Sequence, residues 1–228
     1  MADLALPSSY PKAVLFDLLT ALLDSWSVWN RAAGSEAMGR AWRAAYLRLT
    51  YGCGDYVAYE TLVEQAAVEA GLPASAPAAL EAAWLELAPW SGAQASLGAL
   101  RPHCKLAVVT NSSERLGRLA AALLPVDWDV VVTAERAGAY KPDSRPYRLA
   151  LAELGVDAAD AGFVAGSGYD LFGTARCGLR TYWHNRVGLA PVPGAPAPEI
   201  ESPTLAALPA WAARFGATSE QARSGAQQ

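Results

Sequence analysis

The chain has 228 residues, of which 53% are hydrophobic and 18% charged, and its formal net charge is −4. That length suits one large domain or a core carrying an inserted subdomain, and the composition is that of a folded chain rather than a disordered one. A negative balance without a basic stripe argues against nucleic acid as a partner, and no apolar run nears the roughly 18 residues that cross a bilayer.

The opening MADLALPSSYPKAV lacks the charged-then-apolar pattern of a secretory signal. A first strand is predicted over AVLFDL (13–18), with Asp17 at its end. Residues 24–95 then read as helices: SEAMGRAWRAAYLRLTYG, YVAYETLVEQAAVEAG and SAPAALEAAWLELAPW repeat apolar residues at spacings of three and four. Gly52-Cys53-Gly54, Gly71-Leu72-Pro73 and Pro89 punctuate them. A helical block inserted directly after a strand sits over that strand's C-terminal end, as a lid or cap.

Beyond it, KLAVVTN (105–111), WDVVVTAE (128–135), GFVAGS (162–167) and RTYWHN (180–185) read as strands. Between them lie the helical patterns SERLGRLAAALL, DSRPYRLALAELG and DLFGTARCGL. Such alternation predicts an α/β fold with a doubly wound parallel sheet, formed by 1–23 and 96–228, with a helical cap over 24–95. GLAPVPGAPAPEIESP (188–203) is rich in Pro and Gly, LAALPAWAARFG offers one last apolar element, and ATSEQARSGAQQ is expected to fray. Cys53, Cys104 and Cys177 are scattered without a CxxC pair, which reads as free thiols in a reducing cytoplasm.

In a parallel sheet the ligand crevice lies at the carboxyl ends of the strands, and four polar clusters fall there. Asp17 suits nucleophilic catalysis; its bland alternative is a helix cap or a structural acceptor. Thr110-Asn111-Ser112-Ser113 offers hydroxyls, an amide and backbone N–H groups ahead of a helix, fit for an anion or simply for an N-cap. Lys141-Pro142-Asp143 fixes a lysine where it can balance a carboxylate, although most lysines are merely solvated. Tyr147 either turns its hydroxyl to the same place or packs. In VAGSGYD, Asp170 can orient a water, pair with Lys141 or cap the helix that follows.

Taken in order, these clusters resemble the motifs of the haloacid dehalogenase superfamily, over about residues 10–187: an Asp nucleophile, Thr/Ser-Asn, a Lys and an acidic fourth motif. The resemblance implies a Rossmann-like core and cap. The superfamily's phosphatases carry a second acid two residues after the nucleophile and an Asp pair that binds Mg²⁺. Here Leu19 and Gly166 stand at those places, which disfavours that branch.

The chain is more similar to the (S)-2-haloacid dehalogenases, which lack the same acids. KPDSRPY matches their Lys-Pro-Asp-x-x-x-Tyr pattern, AWRAAYLRLTYG their cap Trp-Arg segment and YWHNR their last strand. The resemblance implies a metal-free, cofactor-free displacement of halide from a small 2-haloacid by Asp17, followed by hydrolysis of the aspartyl ester. By position, Lys141 holds Asp17 ionised and Arg43 reaches the halide. Thr110 and Asn111 serve the carboxylate and halide, and Asp170 with Ser167 positions water. Tyr147 joins the site, and Trp26, Trp42, Tyr56, Tyr59 and above all Tyr169 can wall an apolar pocket. A homodimer is a further implication.

The first loop departs from the family's Asp-x-Tyr-Gly-Thr: Thr20 takes the glycine place and Ala21 the threonine place, which suggests a different local backbone path. Ala165 and Ser167 replace a Ser and an Asn. A divergent Mg²⁺-dependent phosphatase and a catalytically weak binding protein stay open as alternatives. No role is assigned to His103 or His184.

Overall fold

A computed structural model describes residues 10–215. The tail beginning at Ala217, expected to fray, lies outside the described residues.

The sheet holds six strands in the order β3-β2-β1-β4-β5-β6, every adjacent pair parallel. They are β1 (Ala13–Phe16), β2 (Lys105–Thr110), β3 (Val130–Thr133), β4 (Ala161–Ala165), β5 (Arg180–His184) and β6 (Ile200–Ser202). The apolar runs sit in the middle of the sheet because both of its faces are covered. Alternation along each strand divides the core into two layers. Val14, Phe16, Leu106, Val108, Val164 and Tyr182 face one side, and Ala13, Leu15, Ala107, Val109, Phe163 and Trp183 face the other.

Between β1 and β2 the chain makes the helical cap: α1 (Ser25–Ala32), α2 (Glu36–Gly52), α3 (Tyr59–Glu69), α4 (Ala76–Ala82) and α5 (Ala93–Leu100). Asp24 caps α1 by accepting from the Ser27 N–H at 3.0 Å, and Ser35 caps α2 through Met38 at 3.2 Å. The core continues with α6 (Glu114–Ala121), α7 (Ala134–Ala137), α8 (Ser144–Leu154), α9 (Asp170–Cys177) and α10 (Leu208–Ala213). The short helices α1, α5 and α7 and the edge strand β6 were not expected from the pattern. Ile200–Ser202 is only half-buried and carries no apolar run, so nothing marks it as a strand.

Cap and core are tied on several sides. The Tyr46 hydroxyl donates to the Asn111 carbonyl (3.2 Å), Tyr140 to Val57 (2.7 Å) and the Trp84 indole to Leu116 (2.9 Å). No helix among the described residues is long and apolar enough to cross a membrane.

Candidate active site

Because β1 lies between β2 and β4, the strand order reverses across it, and the crevice at such a reversal is where parallel sheets bind ligands. Asp17 directly follows β1, and its N–H donates to the Val164 carbonyl at 2.9 Å, so the carboxylate emerges beside the end of β4. Asn111 follows β2, Lys141 follows the α7 turn after β3, and Asp170 opens α9 after β4.

These ends bring three ionisable groups into one line. Lys141 Nζ stands 2.9 Å from Asp17 Oδ1 and 2.9 Å from Asp170 Oδ1, and all three residues are buried. Asp170 Oδ1 also accepts from the Tyr147 hydroxyl at 3.2 Å, while its Oδ2 has no hydrogen-bond partner among the described residues. Asp17 Oδ2 accepts from the Thr20 N–H (2.9 Å), the Thr20 hydroxyl (2.6 Å) and the Ala21 N–H (3.1 Å).

Burial pushes the Asp17 carboxyl up, but the Lys141 ammonium and the Thr20 donors outweigh it and leave Asp17 below its ordinary value. For Asp170 burial wins: Lys141 pulls it down, Asp17 pushes it back up, and it stays above the ordinary value. Burial would lower Lys141, yet the flanking carboxylates raise it. The site therefore holds an ionised aspartate, a locked ammonium and a second carboxylate with proton affinity to spare.

A cavity of about 320 Å³ opens over this line. Its floor includes Asp17, Lys141 and Asp170, and its cap side is Trp26, Trp29, Arg43, Tyr46 and Tyr59. Arg43 donates to Ser25 Oγ at 2.9 Å, and its guanidinium carbon lies 4.1 Å from the Trp26 ring centre and 5.2 Å from that of Trp29. Burial lowers its pKa, and among the described residues no carboxylate stands within ion-pair distance of it. A cation so placed favours an incoming anion.

Asp17, Arg43, Asn111, Lys141, Ser167, Tyr169 and Asp170 all line the cavity. Two expected substrate contacts do not. Thr110 ends β2 facing the core, and its methyl comes against α6 beside Gly117. Strand alternation sends Thr110 and Asn111 opposite ways, and only Asn111 reaches the cavity. Tyr147 is fully buried beneath Asp170, its ring against the Cα of Gly173, and meets the site only through Asp170. Asn111 itself is partly occupied, since its amide donates to the Lys141 carbonyl (3.0 Å) and accepts from the Lys141 N–H (2.7 Å). The side chain that serves the substrate in the expectation also fixes the backbone of Lys141.

Among the expected aromatic wall residues, Trp26, Tyr59 and Tyr169 are present. Trp42 is buried inside the cap, donating to Val63, and Tyr56 stacks on Tyr140. Trp29, Tyr46, Leu47, Tyr51, Gly168 and the strap Leu189–Pro193 also line the cavity, without having been singled out from the sequence. Tyr46 sits three residues after Arg43 on α2, so helical spacing was the available signal. The strap follows β5, and its place after a strand end was the signal there.

A divalent cation does not fit these donors. The oxygens of Asp17 are engaged by Lys141, Thr20 and Ala21, and the ammonium stands between the carboxylates. A Cβ built on Gly166 would run into Thr20 Oγ1 and the Thr20–Ala21 backbone, so no carboxylate can project from that place as the loop stands. No group of three or more His, Cys, Asp or Glu among the described residues could hold a metal.

Comparison with known proteins identifies the family and the fold. Residues 11–178 match the model of the haloacid dehalogenase-like hydrolases. The chain is 31% identical to the (S)-2-haloacid dehalogenase of Pseudomonas sp. (strain YL), over 78% of this chain and 84% of that one. It superposes on the L-2-haloacid dehalogenase RSc1362 with a TM-score of 0.79 at 25% identity, covering 89% and 99% of the two chains. The fold is also that of the L-2-haloacid dehalogenase from Xanthobacter autotrophicus with chloropropionic acid covalently bound, with a TM-score of 0.77, 22% identity and coverage of 88% and 97%.

Proposed function

The chain belongs to the haloacid dehalogenase-like hydrolases, and we propose that it removes halide from small 2-haloalkanoic acids without a metal, through an ester on Asp17. The observation that carries this reading is the buried Asp17–Lys141–Asp170 line facing an apolar cavity roofed by an ion-pair-free Arg43. A carboxylate attacking carbon needs a stripped, ionised oxygen, and Lys141 keeps Asp17 in that state at neutral pH. Asp17 then forms a bond to C2 as the carbon–halogen bond breaks, and the halide leaves with the electron pair toward Arg43 and the Trp26 ring.

The Ser167 hydroxyl oxygen accepts from the Tyr169 N–H at 3.3 Å, which leaves its proton for a substrate carboxylate, and Asn111 keeps a second amide hydrogen for the same purpose. Asp170, with an oxygen to spare, takes the proton of the water that opens the ester. The Xanthobacter autotrophicus relative carries chloropropionic acid covalently bound, the kind of adduct this reading requires.

The test is halide release from 2-chloropropionate and haloacetates, with and without EDTA. The expected result is release at the same rate in both. Mg²⁺-dependent turnover of phosphate esters with no halide release would sink the proposal.

Its pH profile follows from the same groups. Asp17 and Asp170 must both be ionised, and Asp170 is the harder to ionise because its pKa is raised. The acid limb of turnover is therefore expected above the ordinary aspartate value of about 3.9. Activity should hold on the alkaline side until the ordinary lysine range, about 10.4, is passed, because Lys141 is raised. An acid limb below the ordinary aspartate value would contradict the role given to Asp170.

A further inference from the structure

Thr20 and Ala21 are the residues at which this loop departs from its family, and the structure gives them a chemical task. We infer that the Thr20 hydroxyl, with the Thr20 and Ala21 amides, forms the oxyanion hole for hydrolysis of the Asp17 ester, in a loop for which only Gly166 leaves room. The inference rests on the dehalogenase reading above.

The two oxygens of Asp17 are unequal. Oδ2 accepts from three donors, at 2.9, 2.6 and 3.1 Å, which saturates its lone pairs. Oδ1 accepts only from Lys141, at 2.9 Å, among the hydrogen bonds of the described residues, and keeps a lone pair for attack. Oδ1 is therefore the nucleophile. Once it is bonded to C2, Oδ2 becomes the carbonyl oxygen of the ester, with its three donors already in place.

Water then adds to Cγ, its oxygen bonding to carbon while one proton passes to Asp170. The C=O electron pair moves onto Oδ2, where the waiting donors meet the new negative charge. Collapse re-forms the C=O bond and breaks Cγ–Oδ1, and the departing 2-hydroxyacid oxygen takes the proton back from Asp170. Asp17 keeps the water oxygen and releases the remaining proton. Donors fixed before the charge develops stabilise the transition state more than the neutral ester.

The loop is held from behind. The Trp90 indole donates to the Thr20 carbonyl at 3.0 Å, at the opposite end of the same peptide plane whose Ala21 N–H points to Asp17. His184 Nδ1 lies 2.7 Å from the Ala21 carbonyl. No non-glycine residue among those described has a positive φ, so Thr20 takes this place without left-handed backbone. Its side chain needs the space above residue 166, where a Cβ would meet Thr20 Oγ1 and the Thr20–Ala21 backbone. Glycine at 166 is thus required by the path of this loop, by its backbone as well as by the Thr20 hydroxyl.

Thr20→Val removes the hydroxyl and keeps the shape. With saturating 2-chloropropionate, the first equivalent of halide should still appear as a burst, faster than the turnover that follows it. Steady turnover should then fall by about 100-fold, with the Asp17 ester accumulating on the protein by intact mass. Thr20→Ser, which restores the hydroxyl, should recover turnover to within about fivefold. Wild-type turnover by Thr20→Val, or slow turnover with neither burst nor ester, would overturn the inference while leaving the dehalogenase reading intact. No halide release by the wild type would overturn both.

Discussion

Asp17→Asn is expected to lower halide release by about 10⁴-fold or more, with the fold retained. The amide removes the nucleophile but fills the same volume, and Lys141 keeps Asp170 as its counter-ion. The loop around it asks for an acceptor on one side, where Thr20 and Ala21 present N–H and O–H groups. The amide oxygen can meet those donors, which turns the NH₂ toward Lys141, so a modest loss of melting temperature is expected as well. Halide release is read by ion chromatography beside a thermal melt. A folded Asp17→Asn protein turning over near the wild-type rate would place the nucleophile elsewhere.

Lys141→Met is expected to be severe in a different way. It keeps an apolar stem and removes the charge between two buried carboxylates, each held at 2.9 Å. Breaking a buried pair by deleting one partner costs about 3–5 kcal/mol, because the remaining charge has neither water nor counter-ion. With both carboxylates raised, the folded state of the variant binds more protons than the unfolded chain near neutral pH. Its stability should therefore rise as pH is lowered toward 5 and fall as pH is raised toward 8. The native protein behaves otherwise at Asp17, whose depressed pKa contributes stability that is lost only as pH falls through its folded value. Denaturant melts at the two pH values measure this, and equal stability at both would contradict a buried, charge-balancing Lys141. Activity should fall with the charge, since Asp17 would be protonated for much of the time.

What the sequence made legible follows from which physical signals are local. The apolar runs ending in polar residues located β1 to β5, because parallel strands covered on both faces must be continuously apolar. The same rule pointed to Asp17, Asn111 and Asp170 near the ends of β1, β2 and β4, while Lys141 comes only after the α7 turn that follows β3. The cap was readable from helical spacing in α2, α3 and α4, whereas α1 and α5, of eight residues each, are too short to show a sustained period.

Other features depend on contacts between distant segments. Whether Thr110 or Asn111 faces the cavity is a matter of strand parity, and both are polar, so composition does not separate them. The strap Leu189–Pro193 has no group that a search for chemistry would notice. It reaches the cavity because Asn185 grips it, donating to the Leu189 carbonyl (2.9 Å) and accepting from its N–H (2.7 Å). The family's loop hydroxyl comes one residue later, where this chain has Ala21, so by position the loop lacks it. An aspartate side chain readily accepts from the backbone and hydroxyl three residues on, and here that local geometry returns the hydroxyl from a different position. Gly166 completes the exchange across 146 positions of sequence, a pairing no local pattern contains.

The central claim is a covalent ester between C2 of a haloacid and Asp17. Acid quenching during turnover of 2-chloropropionate, followed by proteolysis and mass spectrometry of the Asp17 peptide, measures it directly. The account predicts an added carboxyethyl group on Asp17 in the wild type, enriched in Thr20→Val and absent from Asp17→Asn. Halide release with an unmodified Asp17 peptide in all three proteins would contradict it.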